Sequence, residues 1–234
     1  MAQPWLLLDT SCQHGVVAIW QQGQLRAQTS LPQRRQHAEM LPQGVQQCLQ
    51  QSGIAFHELA GVAVGQGPGS FMGVRVAMAY AKGVACALGI GLVGLPTLLT
   101  LAAHDVRAAQ RALILLDARR CQVFAQQVRY VTVPGVDAAV PIAHNNPAAL
   151  NQEQMLQQAQ EFDCIVACCL QQPWLDALGN KQIMQTHGPT ALGMGRLLAA
   201  HLQQTGMPSA HSCSELQPTY VRSADARLPT TGAV

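Results

Sequence analysis

Two stretches of this chain repeat one pattern, and the repeat limits the folds open to it. An apolar strand, Leu6-Leu7-Leu8, ends at Asp9-Thr10-Ser11 and leads into an alternating strand, Gly15 to Trp20. Much later, Ala112 to Leu116 ends at Asp117, a small polar turn follows, and Cys121 to Tyr130 alternates in the same way. Duplication of a strand–aspartate–hairpin unit implies an α/β chain of two related lobes, each on its own sheet. The expected division is 1–106 and 107–234, the second lobe smaller and degenerate, its last helix packing back on the first.

Between the two copies the first lobe reads clearly. Leu25 to Ser30 completes a meander. His37 to Ser52 suits a helix, with Met40, Leu41, Val45, Cys48 and Leu49 at helical spacing and Pro42 in its first turns. An apolar run, Leu59 to Val64, meets the glycine-dense turn Gly65-Gln66-Gly67-Pro68-Gly69-Ser70, and a long apolar helix, Val74 to Leu88, follows. Such a turn at a helix N-terminus gathers backbone N–H groups and can hold an anion such as phosphate. Leu92-Val93-Gly94 is a short strand that leads through Pro96-Thr97 to a helix ending near His104. Pro134 to Gln152 reads as loop, Asp163 to Leu170 as a buried strand, Thr190 to Gln203 as a helix, and Leu228 to Val234 as an unstructured end.

The bulk properties narrow the function classes. Of 234 residues, 49% are hydrophobic and 11% charged, and the net charge is +2, too small a field to argue for nucleic-acid or membrane binding by itself. Arg34-Arg35 and Arg119-Arg120 fit solvated pairs, with an RNA or acidic-partner contact as the alternative. Met1 to Trp5 shows no secretory pattern, and the longest apolar stretch, Met72 to Val93, carries Arg75 and Lys82, so a cytoplasmic chain with no membrane association is expected. The cysteines at 12, 48, 86, 121, 164, 168, 169 and 213 form no Cys-x-x-Cys pair and read as reduced, mostly core, residues. No metal site is expected: His104 has no histidine partner, and His57-Glu58 is followed at position 61 by Gly61, so a zinc-protease pair is excluded.

Several motifs together resemble the TsaB (YeaZ) family, which belongs with the TsaD/glycoprotease superfamily of tRNA threonylcarbamoyladenosine synthesis. They are Leu8-Asp9-Thr10-Ser11, His37-Ala38-Glu39-Met40-Leu41-Pro42, Gly67-Pro68-Gly69-Ser70-Phe71-Met72-Gly73-Val74-Arg75, Gly94-Leu95-Pro96-Thr97-Leu98, Leu116 to Val123 and Pro218 to Arg222. The match covers the first 130 residues in order and spacing, and 131 to 215 in general character. Met72 departs from it, since the family usually has threonine there. The resemblance implies a duplicated actin-like ATPase fold, also called ASKHA or ribonuclease H-like. It implies a non-catalytic scaffold subunit that binds and stabilises a TsaD-like catalytic subunit, acts with a TsaE-like ATPase, forms a homodimer in isolation, and meets tRNA only through the complex.

Two readings of the chemistry follow. Asp9, Thr10, Ser11, Gly67, Gly69, Ser70 and Asp117 are the residues of a nucleotide loop, yet no Gly-Gly adenosine motif appears in the last hundred residues. The site is therefore read as vestigial, with no catalytic residue and weak or absent ATP binding; the alternative is a nucleotide-binding hydrolase or glycoprotease-like peptidase. Asp9 and Asp117 also fit as simple turn caps. Arg75, a cation in the first turn of a helix, needs a carboxylate or bound anion as partner. Gly73, Ala77, Ala81, Ala85 and Gly89 line a small-residue groove, and Val76, Tyr80 and Val84 add bulk beside it. With His37, Met40, Leu41, Val45 and Arg75, these residues are expected to form the interface with a partner subunit.

Overall fold

The protein is described by a computed structural model over residues 3–31, 36–103, 111–210 and 212–221. Arg34-Arg35, His104 and Leu228 to Val234 lie outside the described residues. In the first half, β1 (Trp5–Asp9), β2 (Gly15–Gln21), β3 (Gln24–Leu31), α1 (His37–Ser52), β4 (Gly61–Gly67), α2 (Phe71–Leu88) and β5 (Gly91–Pro96) build a sheet of order β3-β2-β1-β4-β5. β1, β2 and β3 pair antiparallel, whereas β1, β4 and β5 pair parallel.

The second half repeats this plan. β6 (Arg111–Arg119), β7 (Gln122–Val131), β8 (Val140–Ala143), β10 (Cys164–Cys168) and β11 (Gln182–Thr186) follow the order β11-β10-β6-β7-β8. Read backwards, this is the first sheet's order, with the same three antiparallel and three parallel strands. A short β9 (Ala148–Leu150) pairs with β7, α4 (Gln152–Ala159) and α5 (Gln172–Ala177) follow, and α6 (Ala191–Thr205) and α7 (Ser212–Glu215) end the described fold. The structure is the duplicated ribonuclease H-like α/β architecture. The stretch expected to be loop, Pro134 to Gln152, holds β8 and β9: its strands are short and lie at the sheet's rim, where little apolar alternation is needed.

The helices are exchanged between the sheets. α1 and α2 cover one face of the first sheet, over Leu6, Leu8, Val17, Ile19, Val62 and Val64. Its other face, including Trp5, Leu7, Trp20 and Val93, is covered by α6 from the second half through Met194, Leu197 and Leu198. Conversely α3 (Thr97–Ala102), from the first half, lays Leu98, Leu101 and Ala102 on Ile114, Leu116, Phe124 and Val166 of the second sheet. α4 covers the far face of that sheet through Met155 and Ala159.

Several expected interface residues lie inside this frame. Gly73, Ala77, Ala81, Val84 and Ala85 are buried on the sheet-facing side of α2, and His37, Leu41 and Val45 are buried on α1. The small residues bring α2 close to its own sheet: a Cβ on Gly73 would collide with the Thr10 carbonyl oxygen. These positions cannot meet a partner. Met40, Val76 and Tyr80 are half-buried, and Arg75 is exposed. By length and apolarity α2 is, among the described residues, the one helix that meets the requirements for crossing a membrane. Here its inner side forms one wall of the first core.

α6 crosses the first sheet at Gly195, where a Cβ would enter the Trp20 ring. Trp20 is 2% exposed and cannot swing away. Gly195→Ala therefore gains helix propensity but overpacks the contact, and a net destabilisation of about 1–3 kcal/mol is expected. Urea unfolding measures it; unchanged or raised stability would contradict this packing.

Candidate functional site

The glycine turn and the first aspartate loop fit into each other. Asp9 ends β1, and Gly65 faces it from the neighbouring parallel strand β4. A Cβ on Gly65 would occupy the position of the Asp9 carboxylate. Farther along, a Cβ on Gly69 would sit 2.7 Å from the Ser11 carbonyl oxygen, and that same carbonyl accepts the Ser70 N–H at 2.7 Å. The Thr10 hydroxyl donates to the Gly73 carbonyl at 2.6 Å. Absent side chains on Gly65, Gly69 and Gly73 thus admit the Asp9-Thr10-Ser11 turn of the chain itself. That turn fills the concave side of the loop.

A polar network fixes the arrangement. Asp9 Oδ1 accepts the Ser11 N–H at 2.7 Å, a local turn cap. The Thr97 hydroxyl, at the start of α3, lies 3.4 Å from Asp9 Oδ2 as donor, accepts the Gly67 N–H at 3.1 Å, and stands 3.2 Å from the Ser11 hydroxyl. Thr97 was legible only as a member of the Gly94-to-Leu98 motif, without a role. Ser70 caps α2, its Oγ accepting the Gly73 N–H at 3.2 Å.

The outer side of the loop is covered by the end of the described chain. Gln66 accepts the Thr219 N–H at 2.8 Å through its carbonyl, and its side-chain amide donates to the Gln217 carbonyl at 2.8 Å. Among the described residues Arg75 meets no carboxylate, and its contacts are aromatic. Its Nε donates to the Tyr220 hydroxyl at 3.0 Å, and its guanidinium lies 3.6 Å from the centre of the Phe71 ring. The Phe71 and Tyr220 rings are 5.5 Å apart, so the cation is held by aromatic faces.

Asp117 occupies the equivalent strand end in the second lobe, and it too caps a turn. Its Oδ1 accepts the Arg119 N–H at 2.8 Å, and the two side chains form an ion pair at 3.6 Å. Arg119, Arg120 and Cys121 all adopt positive φ in this turn (63°, 53° and 53°), a left-handed run that is costly for side-chain-bearing residues. Between the lobes, the His14 N–H donates to the His187 carbonyl at 3.0 Å, and Gly188 lies against the His14 carbonyl. Cys12, from the Asp9 loop, packs with Leu98 and Cys168 of the second core. Cys168 lies 3.6 Å from the Cys169 sulfur, and its thiol is pushed far up by contact with the neighbouring cysteines and by burial. Among the described residues, no three histidines, cysteines or acids are grouped to hold a metal.

The family described as "TsaD: tRNA N6-adenosine threonylcarbamoyltransferase" matches residues 24–220. The "tRNA threonylcarbamoyladenosine biosynthesis protein TsaB" of Escherichia coli K12 is 36% identical over 121 residues, 51% of this chain and 52% of the relative. Its Haemophilus influenzae counterpart is 32% identical over 125 residues, 53% and 52% of the two chains. The chain spans about half the length of the curated relatives it matches. The solved structure "YeaZ from Pseudomonas aeruginosa" superposes with a TM-score of 0.77 at 22% identity, covering 94% of this chain and all of that one, which shows a shared fold.

Asp9 is fully buried, and burial raises its pKa above the ordinary 3.8 despite the hydrogen bonds from Ser11 and Thr97. The folded state therefore holds this proton at a pH where the unfolded chain has released it. Stability from this group is present below the ordinary value and falls as pH rises through the raised one, with a slope of at most about 1.4 kcal/mol per pH unit. Asp9→Asn keeps the Oδ1 acceptor and removes the titration. The wild-type-minus-variant stability, from urea unfolding at successive pH values, should decline with rising pH across that window; a flat difference would contradict the burial argument.

Proposed function

Since the chain belongs to the TsaD family of tRNA N6-adenosine threonylcarbamoyltransferases and is similar there to TsaB (YeaZ) proteins, we propose that it serves tRNA threonylcarbamoyladenosine biosynthesis as a non-catalytic subunit. Its partner is a TsaD-like catalytic chain, which it binds and stabilises. A TsaE-like ATPase joins the assembly, tRNA is met through the complex, and the reaction is cytoplasmic.

One observation carries the non-catalytic reading. The glycine loop, where a phosphate-binding relative needs open backbone N–H groups, is occupied by the chain's own Asp9-Thr10-Ser11 turn. The vestigial residues Asp9, Thr10, Ser11, Gly67, Gly69 and Ser70 hold one another. Asp117 serves its own turn. Weak or absent ATP binding at this loop is the expectation that this packing supports.

The docking surface is the outward side of α2 with the adjoining edge of α1. Met72 is 65% exposed. Ala79, Gly83, Cys86 and Ala87 are exposed below it, flanked by the half-buried Val76 and Tyr80 and by Met40 of α1. This stripe recurs at helical spacing and is apolar with small members, so a partner helix can approach closely. The same face can pair with its own copy when the chain is alone.

Gly83 has open space where a Cβ would project, and Ala79 is exposed, so Gly83→Glu and Ala79→Arg leave the core intact. Mixed with a TsaD-like subunit, the doubly substituted chain should lose co-elution in gel filtration and bind at least about tenfold more weakly, with its melting temperature near wild type. Unchanged complex formation would refute the docking face. Calorimetry with Mg-ATP tests the hydrolase reading: tight binding lost in Asp9→Ala would favour it over the scaffold.

A further inference from the structure

One end of the second sheet gathers positive charge that, among the described residues, no carboxylate pairs. Arg111 opens β6, and Arg129, near the end of β7, is its direct partner in the antiparallel register. Directly opposed residues point to the same face of a sheet, so the two guanidinium groups share one surface. The His144 N–H donates to the Gln127 carbonyl at 2.9 Å, which sets His144 beside β7 two residues from Arg129. With Tyr130, these residues line a cavity of about 510 Å³.

The lining is held in place from behind. The Arg111 guanidinium lies 4.9 Å from the centre of the Phe162 ring. Lys181 reaches the same residue, donating to the Phe162 carbonyl at 3.0 Å, and so adds a third cation nearby. The Tyr130 hydroxyl donates to the Ala102 carbonyl at 3.1 Å. Arg111, Arg129 and His144 are exposed to solvent. Glu161 and Asp163 flank Phe162 in sequence, and among the described residues neither they nor any other carboxylate forms an ion pair with Arg111 or Arg129.

Two like charges set directly opposite each other across a strand pair are unfavourable. An oxyanion between them reverses the sign of that interaction, because each guanidinium can present two parallel N–H donors to it. The cavity is also large enough for a ligand well beyond a bare ion. We propose that the Arg111–Arg129–His144 cavity is a binding site for a phosphate ester. That phosphate is carried either by a free nucleotide or by an RNA backbone. The site stands on the second lobe, away from the α1–α2 face, and does not depend on the docking reading.

The test uses the whole chain with three probes: inorganic phosphate, AMP and a fluorescent twelve-nucleotide single-stranded RNA. The His144 ring signals report by NMR for the small probes, and anisotropy reports for the RNA. Wild type should bind, and Arg111→Gln combined with Arg129→Gln should weaken binding by at least about tenfold. Arg26→Gln, an exposed cation on β3, should leave it unchanged. Binding of phosphate and AMP assigns a free phosphate ester as the ligand. Binding of RNA alone assigns the backbone, and the slope of log affinity against log salt should then fall by about 1.4 in the double variant. Because both arginines are exposed, the variant should melt with wild type. The proposal is overturned if no probe binds in the millimolar range, or if the double variant binds as wild type does.

Discussion

The missing side chains of Gly65, Gly69 and Gly73 govern this structure. They allow the Asp9 turn and the start of α2 to occupy nearly the same space. The direction of α2 follows from that contact, because Ser11 fixes the Ser70 N–H and Thr10 fixes the Gly73 carbonyl in the helix's first turn. Once α2 is placed, its small residues Ala77, Ala81 and Ala85 fall on the sheet and its Met72–Ala79–Gly83 side falls outward. The geometry that seats the Asp9 turn against the loop therefore also sets which side of α2 faces outward.

Thr97 ties this contact to the second lobe. Its hydroxyl meets Asp9, Ser11 and the Gly67 N–H, and its backbone begins α3, whose Leu98 and Leu101 belong to the second core. Cys12 and the His14–His187 backbone bond add further ties between the sheet ends. Packed side chains and main-chain hydrogen bonds thus join the two lobes beside the Asp9 turn.

Much of this was legible in the sequence. The repeated strand–aspartate pattern revealed the duplication because each apolar strand ends abruptly at a polar turn. The glycine turn revealed a strand-to-helix junction. What failed was the side of α2: alanines and glycines spaced by four read the same whether they admit a foreign helix or the chain's own sheet, and only the bulk of Met72 and Phe71 at the outer rim breaks the tie. The Arg75 contact with Tyr220 was hidden for a different reason. Tyr220 lies 145 residues away in sequence and pairs through ring and hydroxyl, so no local charge pattern could point to it. β8 and β9 were missed because short rim strands carry little alternation. The start of α4 was missed with them, although Asn151 and Gln154, which cap each other at 2.9 and 3.0 Å, form a capping box.

The exchange of α3 and α6 bears on how such a chain can arise and be taken apart. Each sheet is covered on one face by a helix encoded with the other sheet, so the gene's two halves do not correspond to two separable folding units. A fragment ending after α3 would leave Trp5, Leu7 and Trp20 facing water and carry a helix with nothing to lie on. The doubling visible in the sequence is thus a record of ancestry. In the present protein each copy's core is completed by a helix from the other, so trimming either one uncovers both.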